Sequence, residues 1–286
     1  MLLGEIDAAQ PGATVSSSID EVLANLDAVI DRALEDADPC GYFAVLYRTV
    51  TAAVQEALEA GTFDDPARME RLDTLFADRY LDAVAARSAG RPATASWELT
   101  FAAAQRWRPL VLQHLLVGIN AHINLDLGIA AARCSPGDQL PGLRRDYDRI
   151  NAILAAMIER IQGDLRGISP WMGILDRIGV RTQHEVVRFS IVTARAGAWR
   201  FATDLAATPE PGWDAAIADR DRAVARVGER VLHPGVMAST GLLLARLREQ
   251  GDVVANLQHL RSSATPSQAE VGDTLARMDA EEAGRT

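Results

Sequence analysis

Between Leu112 and Ala132 the chain reads LQHLLVGINAHINLDLGIAAA, an almost wholly apolar run that carries Gln113, His114, Asn120, His122, Asn124 and Asp126. Polar groups in a buried segment need partners, and several of these can do chemistry. His122 and Asp126 stand one helical turn apart, so their side chains can converge on a metal ion from one side. A divalent Zn, Mn or Fe ion held there would polarise an oxygen or activate water. Asn120 and Asn124 would be its catalytic neighbours, orienting groups by hydrogen bonding. The same spacing also lets Asp126 accept a hydrogen bond from His122, with the pair only linking helices. His114 lies about 12 Å from His122 along a helix axis, too far to share one ion directly.

Asp73 is the most interesting additional donor. It falls within the stripe Met69, Leu72, Phe76 and Tyr80, where a solvated carboxylate is not expected. It is the candidate third metal ligand or general base, although helices also leave acids at the edge of an apolar face. HEVVR begins like the zinc-protease pattern, but Arg188 occupies the second histidine position and cannot ligate. His184, Arg188, Arg195 and Trp199 form a stripe that reads as a solvated face or an anion-binding rim. His233, before Pro234, reads as a turn residue. There is no Gly-x-Ser-x-Gly elbow, phosphate-binding glycine loop or dinucleotide fingerprint. The paired Glu-x-x-His motifs of di-iron bundles are also missing. Asp64 and Asp65 in FDDPARME suit a helix cap, because Pro66 follows them.

Helices position these residues throughout. SSSIDEVLANLDAVIDRALEDADP opens with a serine cap, and GYFAVLYRTVTAAVQEALEAG puts Phe43, Tyr47, Val50 and Val54 on one face. DDPARMERLDTLFADRYLDAVAARSAG begins with aspartate and proline and ends at glycine. TASWELTFAAAQRWRP gives a shorter helix, followed by the polar-seamed one, whose apolar residues cover every side and make it central. Leu143, Tyr147, Ile150, Leu154, Ile158, Ile161 and Leu165 form the cleanest amphipath. TQHEVVRFSIVTARAGAWRFATDLAA reads as one long helix, with a break at TPEPGW and further helices to about Arg261. The expected fold is all-α, a single bundle of nine or ten helices over residues 1–261 around a central buried helix, with a polar tail from 262 to 286.

The chain has 286 residues, 48% of them hydrophobic, enough for a sizeable core. The charge sum is -10, which disfavours nucleic acid and anionic lipid as partners. Cys40 and Cys134 suit neither a metal knuckle nor a disulfide framework. MLLGEIDAAQPG lacks the basic and apolar regions of a signal peptide, and His122 and Asp126 interrupt the longest apolar run, so a cytoplasmic protein is expected.

LLVGINAHINLDLGIAAA together with EVVRFSIVTARAGAWRFA resembles a family of functionally uncharacterised helical proteins common in actinobacteria, from about Leu23 to Arg261. That resemblance implies a fold and no established activity. Within it, HINLDL is similar to the ligand helix of the zinc-dependent phospholipase C and P1 nuclease family, which makes His122 and Asp126 the implied ligands. That family's further histidines, its His-x-x-x-Glu helix and its N-terminal tryptophan have no match here. The leading expectation is a metal-dependent hydrolase or lyase acting on a small molecule. The alternatives are a metal-free helical pocket that binds or cyclises an apolar metabolite, and a scaffold without catalysis.

Overall fold

The computed structural model describes residues 15–151, 153, 154, 182–234, 242, 243, 245–247, 249 and 251–263, with backbone alone for 182–190. Helix α1 (Ile19–Glu35) starts where the Ser18 side chain accepts from the Glu21 N–H, and it buries Val22, Leu26, Ile30 and Ala33 along one face. That face lies on α2 (Gly41–Glu59). Asp65 accepts from the Arg68 N–H, Pro66 is the first helical residue, and α3 (Pro66–Ser88) runs on to a turn at Gly90, whose φ is +64°. Helix α4 (Ala95–Ala104) has its first two backbone N–H groups capped by the buried Asp221 carboxylate.

The polar-seamed stretch is the centre of the bundle, but it is not a continuous α-helix. It comprises α5 (Val111–Ala121), a π-helical segment (His122–Asp126) and α6 (Leu127–Cys134). The Leu127 N–H bonds the His122 carbonyl five residues back, the π spacing. This stretch is long and apolar enough to cross a membrane, and most of it is buried among its neighbours, which accounts for its composition. Helices α2, α4 and α8 (Trp213–Leu232) pack on α5, while α3 and α7 (Thr182–Ala207) pack on α6. A last helix, α9 (Val253–Ser263), lies on α2.

Two glycines allow the closest approaches to the central helix. A Cβ on Gly118 would stand 2.6 Å from the Phe43 ring, so a larger residue there would displace that aromatic. A Cβ on Gly128 would meet Phe201 at 2.7 Å and the Ala198 carbonyl at 2.9 Å. Aromatic residues dominate the α2 side of the core, with Phe43, Tyr80 and Trp97 at its heart, whereas Leu125, Ile129, Leu143 and Leu205 fill the α7 side.

Among the described residues the fold is helical and has no strand, as the sequence pattern requires. The break at TPEPGW is a 3-10 turn, Glu210–Gly212, between α7 and α8. The 143–165 amphipath is helical through 151 and at 153 and 154; its remainder and the residues from 264 onward lie outside the described residues.

Candidate functional site

The π segment places Asp126 where three N–H groups converge. Its carboxylate is fully buried (0% exposed), and Oδ2 accepts from Trp97 Nε1 at 2.9 Å and pairs with His122 Nδ1 at 3.2 Å. Arg79, from α3, donates Nε to Oδ1 at 3.3 Å. A buried carboxylate needs such compensation, and the guanidinium supplies the opposite charge. Because a carboxylate can only accept, the Nδ1 of His122 carries the ring hydrogen. In the neutral imidazole the Nε2 lone pair is then the free acceptor. That nitrogen is buried and has no hydrogen-bond partner. Burial holds His122 below its ordinary pKa; the hydrogen bond and charge of Asp126 oppose that shift and Arg79 adds to it, leaving a neutral ring at pH 7.

Aromatic rings wall the imidazole. Phe76 stacks on it at 3.6 Å between centroids and 11° between planes, and Tyr47 meets it edge-on at 4.3 Å. Phe43, Trp97 and Tyr80 complete the surround at 5.6, 6.1 and 6.2 Å. Three further buried oxygens have no close hydrogen-bond partner, Tyr47 Oη, Thr51 Oγ1 and Asp73 Oδ2, although the Tyr47 and Thr51 hydroxyls interact with each other. Tyr47 and Thr51 are one turn apart on α2, and Asp73 is one turn before Phe76 on α3. The Tyr47 phenol is held well above its usual pKa, first by burial and then by the charge of Asp73, while its hydrogen bond with Thr51 opposes the shift. Asp73 itself is pushed up to about 7 by burial and, secondarily, by Glu70. A buried polar group without a partner costs about 1–3 kcal/mol, and His122 Nε2 and Asp73 Oδ2 are such groups.

The model of a family described as "Family of unknown function (DUF5995)" matches residues 19–234. The chain belongs to that family. The matched span contains every side chain of the π-segment site, from Phe43 to Asp126. No curated protein and no solved structure matches.

Within this DUF5995 chain the expected site residues divide into separate groups. His122 and Asp126, expected to converge on an ion from one side, meet and are joined by a hydrogen bond. Both Asp126 oxygens already serve Trp97, His122 and Arg79. Asp73 is buried beside the Tyr47 end of the cluster, and no hydrogen bond or ion pair among the described residues joins it to His122 or Asp126. Among the described residues, no three His, Cys, Asp or Glu side chains are grouped to hold an ion. Asn120 and Asn124 make their bonds elsewhere: Asn124 Nδ2 donates to Asn120 Oδ1, and Asn120 Nδ2 donates to the Val224 carbonyl of α8. Arg220, also from α8, donates to the Asn124 carbonyl at 2.8 Å, so this seam anchors the π segment. Gln113 caps α5 through the Leu110 N–H and reaches the Val231 carbonyl.

His114 lies against Tyr42 and is lowered to about 4, chiefly by burial. His233 is exposed and stands 3.2 Å from Glu229. The side chains of His184 and Arg188 lie outside the described residues. Arg195 corrects the solvated-face reading of their stripe: it is 4% exposed, with its guanidinium over the Tyr147 ring at 4.3 Å and donating to the Tyr147 carbonyl.

Sequence reasoning missed Tyr47, Thr51, Arg79 and Trp97. Tyr47 and Thr51 share an i,i+4 line on α2, a signal visible in the sequence. The meeting of Arg79 and Trp97 at Asp126 depends on helix packing and left no local trace.

Proposed function

We propose that the protein is an enzyme that handles a small apolar molecule by metal-free acid–base chemistry, with His122 as the base and Asp126 as the residue that orients it. One observation carries this reading: the Nε2 lone pair of a neutral, carboxylate-anchored imidazole is left free inside an aromatic enclosure. A carboxylate behind the ring fixes the tautomer and stabilises the imidazolium formed when Nε2 takes a proton. π turns are frequent at functional sites, where they re-aim side chains out of helical register. The enclosure is closed, with His122 only 2% exposed. Tyr80 approaches the imidazole on one side and lines a cavity of about 110 Å³ with Cys40, Val84, Arg87 and Phe101 on the other. Motion of its ring is the entry step in this proposal.

A metal-dependent hydrolase or lyase is the competing proposal, and the same lone pair favours it. A Zn, Mn or Fe ion would bind at Nε2, with Asp126 as the carboxylate behind the ligand. The similarity of HINLDL to the phospholipase C and nuclease helix then belongs to His122 alone. A purely structural role accounts well for Gln113, Asn120 and Asn124, but it leaves the lone pair unexplained.

Carbethoxylation by diethyl pyrocarbonate separates these readings, because it needs a neutral imidazole nitrogen and physical access. The acid–base site is expected to give His122 modification in the folded protein, faster than global unfolding and unchanged by a chelator, as followed by peptide mass spectrometry. A metal ligand would react only after chelation. Modification of His122 no faster than unfolding, while exposed His233 reacts at once, would show a closed structural core and overturn the proposal.

A further inference from the structure

We propose that the cavity enclosed by α1, α2, α3 and α4 is a binding site for a neutral small molecule with a ring-sized apolar body and one acceptor oxygen, to which the Tyr80 hydroxyl donates. The assignment goes beyond the chemistry proposed for His122 and stands without it.

Small residues open the space. Ala28 and Ala33 on α1 and Gly41 at the start of α2 join Val84 of α3 and Phe101 of α4 around a cavity of about 110 Å³. Native cores leave few voids larger than a water molecule, and a cavity of roughly 150 Å³ holds benzene. This one continues outward. Val29, Arg32 and Val84 also line a wider groove of about 440 Å³ along α1 and α3, with Leu81 and Ala85 among its other walls. Cavity and groove together reach the size of ordinary small-molecule sites, about 300–1,000 Å³.

One polar group in the wall lacks a protein partner. Tyr80 is 1% exposed and lines the cavity, and its hydroxyl makes no hydrogen bond among the described residues. Burial first, then the charges of Cys40 and Asp38, hold the phenol above its usual pKa, and Arg87 opposes them. Cys40 and Arg87 are themselves part of the cavity wall, so the hydroxyl end of the ring lies there. Its neighbours are committed to one another. Arg87 Nη1 donates to Asp38 Oδ2 at 2.8 Å and to Cys40 Sγ at 2.9 Å, with the guanidinium over the Phe101 ring at 5.1 Å. A guanidinium can only donate, and a thiol carries a weak donor, so an acceptor oxygen complements this wall and a second donor does not.

The same lining sets the charge of the ligand. Arg32 and Arg87 are matched by Asp36 in the wall and by Asp38 paired with Arg87, so no net charge is left for an ion to offset. An ion would lose its hydration without compensation, and a neutral molecule carries no such cost.

Acetophenone, toluene and benzoate share a ring and differ in oxygen and charge. Ligand-observed NMR titration of the intact protein is expected to give acetophenone a dissociation constant of about 1 mM or tighter. Toluene should bind about fivefold more weakly, for want of the hydrogen bond, and benzoate about tenfold or more. Tyr80→Phe should erase the preference for acetophenone over toluene, with toluene binding unchanged and the melting temperature unchanged or raised, because no described residue pairs with the lost hydroxyl. Val84→Phe, which fills the wall shared by cavity and groove, should abolish binding; Ala28→Phe, from the exposed side of α1, is the independent variant if the first fails to fold. Absence of acetophenone binding, or binding that survives both filling variants, would overturn the site. An undiminished preference in Tyr80→Phe would overturn the role of the hydroxyl, and benzoate binding as tightly as acetophenone would overturn the neutral class. Carbethoxylation of His122 is read separately, so failure here and failure of the acid–base reading are distinguishable.

Discussion

Replacing Asp126 by alanine is expected to destabilise the protein by about 3–5 kcal/mol, because it strips the partner from a largely buried guanidinium. Arg79 would lose its only ion pair among the described residues, and the Trp97 indole N–H and the His122 Nδ1–H would lose their acceptor. These groups come from three different elements, α3, α4 and the π segment, so the loss should loosen the bundle centre rather than one helix. Removing one donor instead is a smaller change. Trp97→Phe keeps the ring contacts with Phe43 and Tyr80, leaves Asp126 paired, and should cost about 1–2 kcal/mol in excess of any packing change. Urea denaturation of both variants checks the ordering. A loss below about 1 kcal/mol in Asp126→Ala would contradict the view that this carboxylate organises the centre.

Asp73→Asn is expected to act in the opposite direction, with an effect that grows as the pH rises from about 4 to about 7. Burial pushes Asp73 up to about 7 in the folded protein, whereas an unfolded aspartate titrates at about 3.9. The folded chain thus holds this proton longer than the unfolded chain. The stability contributed by the protonated group is fully present below about pH 4 and is lost as the pH rises through about 7. Asparagine keeps the shape without the charge, so the variant should exceed the wild type by on the order of 2–4 kcal/mol at pH 8. The two should converge near pH 4. Thermal melts across that range check the sign; a variant less stable than wild type at pH 8 would mean that Asp73 is ionised and paired.

The sequence made much of the frame legible through local chemistry. Ser18, and Asp65 with Pro66, mark helix starts because capping is decided within one turn. The TPEPGW break and the 182–207 helix follow from proline placement and uninterrupted spacing. The two polar seams on the central helix were visible as well, since only residue type and angle are needed to see them. Their division of labour was not. A π turn differs from an α turn by one hydrogen-bond step and has no compositional marker, so nothing in HINLDL announces that Leu127 bonds back to His122.

Tertiary partners were equally hidden. The Asn120–Asn124 line looked as reactive as the His122–Asp126 line until α8 supplied a carbonyl for the one and a guanidinium for its backbone. Arg195 reads as a surface cation in sequence. Its burial depends on the Tyr147 ring and carbonyl, which no spacing on α7 reveals. Tyr47 meets His122, and feels the charge of Asp73, only because α2 and α3 pack together near the π segment. Each of them, read alone, belongs to an ordinary apolar stripe.

The free lone pair of His122 is read directly by nitrogen NMR of the ring-labelled protein. At pH 7 the expected spectrum shows His122 neutral, with hydrogen on Nδ1 and an unprotonated Nε2, and a preference for that tautomer that is lost in a folded Asp126→Asn variant. A hydrogen on Nε2 in the wild-type ring, or a fully charged imidazolium at that pH, would contradict it.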